Sequence, residues 1–305
     1  MNLYELTAGP ESDGERLDVF INEFISDLTR SHIQKLIKSE NVRVNEKIIT
    51  KSAYKICLDD RIILDLPPAV ELQIEAQDIP LDVLYEDDDV LVVNKPKGMV
   101  VHPAAGHYKD TLVNAILFHC KSNLSGINGV LRPGIIHRID KDTTGSLIVC
   151  KNDFSHTFLA EQLKEHSLGR IYKAIVIGSV KDDEGTISAP IGRHHTERKK
   201  MAVVSDGKEA ITHYKVLERF PGYTFMQFQL ETGRTHQIRV HMAHIGHPLL
   251  GDEIYGGKNS HFKTEGQTLH AQTISFVHPK SKKRIMVEAP LPEYFNKILN
   301  KLREK

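Results

Sequence analysis

The chain has 305 residues, with 40 basic and 40 acidic side chains and a net charge of +0. That length implies about two domains, and 40% apolar with 26% charged residues describes a globular protein that can bury a core without disulfides or structural metal. The charge balance excludes a whole-chain basic footprint for nucleic acid. The 3 cysteines, Cys57, Cys120 and Cys150, form no C-x-x-C pair and are expected as reduced thiols. No apolar run approaches the roughly 18 residues of a membrane span, and the start MNLYELTAGPESDGERLD has no apolar signal region. A cytoplasmic protein is expected.

In chain order, residues 14–67 come first as a small α/β module. Leu17, Phe20, Phe24 and Ile25 have helical spacing, and Thr29 or Ser31 can cap a second helix carrying Ile33, Leu36 and Ile37. Val42 and Val44 alternate with Arg43, a turn follows at Asn45, and short strands run through Ile48 and from Ile62 to Leu66. Between Arg30 and Lys55 seven basic residues face only Glu40 and Glu46. Residues 68–80 read as a linker, because Pro67, Pro68 and Pro80 favour extended backbone and the acidic run that follows repels itself.

Residues 81–303 form the second domain. VLYEDDDVLVVNKP predicts two strands around an acidic turn, and SLIVCKN, RIYKAIVIG, ITHYKVLERF and YTFMQFQLETG predict further strands. TLVNAILFHC, SHTFLAEQLKEHS and HQIRVHMAHIG predict helices. Strands outnumber helices, so the class is α+β: a mixed, mainly antiparallel central sheet flanked by helices and loops.

The run LRPGIIHRIDKDTTGSLIVCKN carries the first chemical signal. Ile135 and Ile136 lead into His137, Arg138, Ile139 and Asp140. Thr143, Thr144 and Gly145 then turn the chain into a strand from Ser146 to Cys150, with Gly145 as the turn residue. Asp140 therefore ends a rigid segment. Taken alone, an Asp beside Thr-Thr-Gly is an ordinary loop cap.

HRIDKDTTG resembles the H-R-L-D-x-x-T-S-G signature of the pseudouridine synthase family, with Ile139 for Leu and Thr144 for Ser. YEDDDVLVVNKPKGMVVHP, RIYKAIV and LETGRTHQIRVHMAHIGHPLLGDEIYG resemble further segments of that family in the same order. The resemblance spans about residues 80 to 300. It is nearest to the subgroup that modifies large-subunit ribosomal RNA and carries an N-terminal S4-like domain. ERLDVFINEFISDLTRSHIQKLIKSENVRVNEKIITKSAYKICLDDRIIL, with its RLD start and late DDRIIL, resembles that S4 domain.

The implied activity is isomerisation of uridine to pseudouridine, which needs no cofactor. The C1′–N1 bond breaks, the base turns, and C5 rejoins C1′. A carboxylate acts by attack at C1′ or by proton removal at C2′. A dry pocket disfavours an ionised carboxylate unless a cation is near. The resemblance implies Asp140 as the carboxylate, Arg239 as that cation, and Tyr172 against the uracil. Arg138 either fills the space vacated by an extruded uridine or binds phosphate. His137 is placed with Arg138 among the substrate contacts, or else, with His236, it shapes its loop. Asn94, Lys95 and Pro96 end a strand at the rim of the site.

Arg30, Ser31, Lys35, Lys38, Arg43 and Lys51 are the expected phosphate contacts of the S4-like domain. The basic run Arg193, His194, His195, Arg198, Lys199 and Lys200 reads as a loop on the active-site side, gripping RNA or merely mobile. Two other readings fit parts of the sequence. His236, His241, His244 and His247 have a spacing seen in zinc hydrolases, but no accompanying ligand motif. A non-catalytic S4-type RNA-binding assembly factor needs no Asp140, Tyr172 and Arg239 together. The expectation is therefore a monomeric RNA-modifying isomerase with RNA, especially ribosomal RNA or an assembling large subunit, as partner. Neither metal nor membrane is expected.

Overall fold

Leu17, Phe20 and Ile21 lie on one face of helix α1 (Leu17–Phe24) and are completely buried. Ile33, Leu36 and Ile37 form the buried face of α2 (Arg30–Lys38). Helical periodicity therefore becomes a shared apolar seam, closed by a four-stranded antiparallel sheet. Its strands are β1 (Asn2–Thr7), β2 (Val42–Val44), β3 (Lys47–Ile48) and β4 (Arg61–Leu66), in the order β1-β4-β2-β3. In β2 the pleat turns Val42 and Val44 inward and leaves Arg43 exposed.

This computed structural model describes residues 2–25, 28, 30–66, 74–103, 108–121, 124–127, 133–197, 200–256, 262 and 264–304. The chain separates into two compact units, residues 1–71 and 72–305. The first begins before residue 14, because β1 pairs with β4 along its whole length. Thr29 lies outside the described residues, as do 68–73 of the expected linker. Residues 74–80 are docked rather than free. Ile74 packs on the second unit's core. The Gln77 N–H donates to Asn114 O at 3.0 Å, and Asn114 Nδ2 donates to Glu75 O at 2.8 Å.

The second unit is built on nine strands. They are β5 (Val83–Glu86), β6 (Val90–Lys95), β7 (Thr144–Cys150), β8 (Gly169–Ile177), β9 (Glu184–Ser188), β12 (Ile211–Phe220), β13 (Tyr223–Leu230), β14 (Leu269–Val277) and β15 (Arg284–Glu288). Their order is β5-β6-β7-β14-β8-β13-β12-β9, with β15 on β14. Only β7 and β14 run parallel, so the sheet is mixed and mainly antiparallel, as the sequence predicts. A separate two-stranded hairpin, β10 (Ile191–Arg193) with β11 (Met201–Val203), occupies the expected basic loop. Arg198 and Lys199 of that run lie outside the described residues. Helices α3 (Leu112–Cys120), α4 (Asp153–Lys164), α5 (Gln237–His244) and α6 (Glu293–Arg303) complete the unit. Among the described residues no helix is long and apolar enough to cross a membrane.

Strand β7 is buried at every position, which places Asp140, four residues ahead of it, at the edge of the core. Gly145 lies inside this strand rather than at a turn before it. Its φ is 110°, and a Cβ there would stand 2.2 Å from Ala271 O on β14, so only glycine permits this close parallel approach.

In the first unit Asp18 is completely buried. It accepts from Arg16 Nε at 2.9 Å, Arg30 Nε at 3.1 Å and Gln34 Nε2 at 2.6 Å. Burial pushes its carboxyl up, but the hydrogen bonds from these three side chains outweigh that and hold it well below the usual carboxylate range. Because the folded group titrates below its unfolded value of about 4, this stabilisation is complete above that pH and is lost as pH falls further. Asp18→Ala should cost about 2 kcal/mol at pH 7, read from the hydrogen-exchange protection of α1 and α2. The difference from the parent should narrow below pH 4.

Candidate active site

The loop carrying Asp140 is fastened from several sides. The Thr143 N–H donates to Asp140 O at 3.1 Å and the Gly98 N–H to Lys141 O at 3.0 Å. The Ile148 N–H of β7 donates to His137 Nε2 at 3.2 Å. Burial drives the His137 pKa down to about 3, with Arg170 pushing the same way. His137 is therefore a neutral brace of the loop as well as part of the cavity wall.

Lys95 is not a rim residue: it is completely buried. Its Nζ donates to Pro96 O and Met99 O at 2.8 Å and to Lys141 O at 3.0 Å. Burial pulls its pKa to about 7 against the fields of Asp142 and Asp140. The three carbonyl acceptors require an ammonium with three hydrogens. Lys95 thus pins the strand end to the Asp140 loop.

Arg239, on α5, is 4% exposed. Its Nη1 donates to Asp140 Oδ2 at 2.9 Å, while Nε and Nη2 form a two-pronged pair with Asp252 at 2.6 and 2.9 Å. Burial lowers the Arg239 pKa, and the Asp252 and Asp140 carboxylates more than reverse this. The guanidinium stays charged between two carboxylates. Asp252 also accepts from the Ile254 and Tyr255 N–H groups at 3.0 and 3.1 Å, which sets the turn bearing Tyr255.

Tyr255 links the hairpin to the site. Its hydroxyl accepts from the Met201 N–H at 3.0 Å and contacts His236 Nδ1 at 2.9 Å. The other ring nitrogen of His236, Nε2, is turned toward Asp140. That nitrogen is 3.9 Å from Asp140 Oδ1. Burial lowers the His236 pKa, in keeping with a neutral ring. His236 precedes α5 in the left-handed region at φ 57°, a costly conformation for a non-glycine residue that directs it to both partners.

Asp140, His137, Arg138, Tyr172 and Arg239 all line one cavity of about 590 Å³. The Asp140 side chain is 17% exposed, so it is reachable but mostly dry. Tyr172, on β8, is buried, which pushes its phenol up and keeps it protonated. Arg138 is exposed and also lines an adjoining hollow of about 400 Å³, with Asp140 between the two.

The remaining expected contacts lie in the N-terminal unit. Ser31, Lys35, Lys38, Arg43 and Lys51 are exposed. Arg30 is committed to Asp18 rather than presented solely to solvent. The four histidines considered for zinc do not converge. His236 faces Asp140, His241 bonds Thr212 Oγ1 and Ala189 O at 2.9 Å, His247 bonds Ile177 O at 3.1 Å, and His244 is exposed. Asp252 and Tyr255 were not singled out in the sequence. Each stands in HPLLGDEIYG with no local pattern to mark it as a partner of Arg239.

Residues 89–244 match the family model described as RNA pseudouridylate synthase, and residues 15–62 match the S4 domain model. A Bacillus subtilis protein described as an uncharacterised RNA pseudouridine synthase is 48% identical over 304 residues, 100% of this chain and 99% of its own length. The ribosomal large subunit pseudouridine synthase D of Zymomonas mobilis is 46% identical over 299 residues, covering 95% and 94%. The solved structure of human RNA pseudouridylate synthase domain containing 1 has a similar fold, with TM-score 0.57, 24% identity, and coverage of 75% of this chain and 97% of that one.

Removing Asp252 would leave the buried Arg239 guanidinium with a single carboxylate. Asp252→Ala should destabilise the second unit by about 3–5 kcal/mol, seen as a lower denaturant midpoint. A loss below 1 kcal/mol would mean that Arg239 does not depend on this pair.

Proposed function

This chain belongs to the RNA pseudouridylate synthase family, with an S4 domain toward its N-terminal end, and on that premise we propose that it isomerises specific uridines of large-subunit ribosomal RNA using Asp140. The observation that carries this reading is the Asp140 carboxylate in a mostly dry cavity, 2.9 Å from a buried guanidinium and in a wall shared with Tyr172.

A uridine extruded from its stack places its ribose against Asp140 and its base against Tyr172. The carboxylate acts on the C1′–C2′ edge of the sugar. The C1′–N1 bond breaks with its electron pair going to the base. The detached uracil turns, and C5 forms the new bond to C1′. N1 takes up a proton, and the C5 hydrogen leaves as a proton. Arg239 stands as the fixed cation opposite the carboxylate throughout, held by Asp252 so that it does not follow the substrate. Tyr172 offers a ring face to the free base and a protonated hydroxyl to its edge. Arg138, exposed at the mouth, is placed to occupy the gap that the base leaves in the RNA. Lys35, Lys38, Arg43 and Lys51 supply phosphate contacts from the S4 domain, which orient the RNA without reading its sequence.

Asp140→Asn should reduce turnover by roughly 10³-fold or more while RNA binding persists. The assay is release of isotopic hydrogen from C5 of uridine in a ribosomal RNA transcript. Full turnover by this variant would refute the assignment. The double change Lys35→Ala with Arg43→Ala should weaken RNA binding and lower the slope of log affinity against log salt by roughly 1.5. An unaltered slope counts against the S4 contacts.

A further inference from the structure

Arg170 lies on β8 two residues before Tyr172, and the alternating burial of the strand puts both on its buried face. It is 8% exposed and lines the catalytic cavity. A guanidinium so deeply placed ordinarily needs a carboxylate, because an uncompensated buried charge costs several kcal/mol. Arg170 has no ion pair among the described residues. Its Nη2 makes one long bond, 3.3 Å, to the backbone oxygen of Glu231, and its buried Nε has no hydrogen-bond partner. The Glu231 carboxylate does not serve it, being turned to His213 Nε2 at 2.6 Å.

The wall beside Arg170 adds a second cation rather than a carboxylate paired to it. Arg234, exposed on the same cavity wall, spends its Nε on Glu209 O. Gly233 lies against the Arg170 head: a Cβ there would stand 2.8 Å from Nη1. The missing side chain leaves the guanidinium uncovered on that side.

We infer that Arg170 anchors an anion subsite in the cavity wall, and that its ligand is an RNA phosphate flanking the extruded uridine, with Arg234 as the second contact at the rim. This rests on the reading that the cavity receives a uridine. Residues two apart on one strand face are separated by about 6.5 Å, a separation suited to a base at Tyr172 and a phosphate of the same stretch of backbone at Arg170. A phosphate carries the negative charge that a buried guanidinium lacks and accepts its fork of donors in two-pronged fashion. A neutral uracil carbonyl would leave the charge uncompensated. Arg170 is then a positioning residue: it fixes where the nucleotide enters, and Asp140 performs the chemistry.

The test compares full-length parent, Arg170→Gln, Arg170→Lys and Gly233→Ala on a large-subunit ribosomal RNA transcript, with thermal melting as a folding control. Arg170→Gln should raise KM about tenfold or more, leave kcat within about twofold of the parent, and lower the salt slope of binding by roughly 0.7. Arg170→Lys keeps the charge and should restore the slope but only part of KM. Gly233→Ala, whose new methyl displaces the guanidinium, should reproduce the Gln phenotype with an unchanged melting temperature. Unchanged KM and slope in both Arg170→Gln and Gly233→Ala would overturn the assignment. So would a loss confined to kcat, which would put Arg170 on the uracil instead. Absence of turnover by the parent would overturn the underlying reading, whereas parental turnover with an insensitive Arg170→Gln sinks only the phosphate subsite.

Discussion

One guanidinium held between two carboxylates organises the catalytic unit. Arg239 contributes two nitrogens to Asp252 and one to Asp140. The division is unequal for a physical reason. The two-pronged pair with the completely buried Asp252 sets the plane and position of the side chain. The remaining nitrogen is left as a directed, single contact for Asp140, whose other oxygen stays open to the cavity and to His236. A lone Arg239–Asp140 pair would satisfy both partners and leave neither available. With Asp252 present, the charge on Asp140 is balanced while the carboxylate still faces the cavity.

The fold supplies this arrangement by bringing distant pieces of chain to one edge of the sheet. Asp140 and Arg239 are 99 residues apart. Asp140 precedes β7, Tyr172 rides on β8, and Arg239 begins the second half of the site on α5. β14, which runs parallel to β7 and antiparallel to β8, lies between those two strands. The close contact of β7 and β14 at Gly145 is therefore a constraint on the geometry of the cavity wall as well as on packing. Lys95 adds a second constraint, since one of its three hydrogen bonds ties the end of β6 to the residue following Asp140. The hairpin of β10 and β11 is connected through Met201, Tyr255 and His236 to the face of Asp140.

Much of the local structure was legible in the sequence, and the misses have identifiable causes. The buried stripe Phe295, Ile298, Leu299 and Leu302 of α6 has regular helical spacing, so that helix could have been read from the chain. β1 could not, because NLYELT has only a weak alternation and owes its strand to pairing with β4. β9 is likewise an edge strand, and its partner β12 begins more than twenty positions later. Residues 74–80 have the composition of a linker, and contacts remote in sequence, such as Gln77 with Asn114, 37 positions apart, make them part of the fold. Lys95 looks like any solvated lysine until its carbonyl acceptors are assembled around it.

The sequence by itself determined the class of fold, the two-part organisation, and the segments that hold Asp140, Tyr172 and Arg239. Those features are written in periodicity and in short contiguous motifs. Tertiary structure alone decided which carboxylate orients Arg239, that His236 stands between Tyr255 and Asp140, that His137 braces its loop, and that Arg170 is buried with no ion pair among the described residues. Each of these depends on hydrogen-bond distances of about 3 Å between groups remote along the chain. Ionic and hydrogen-bonding roles are set by such neighbours and by exclusion of water, and neither is recorded in the spacing of residues.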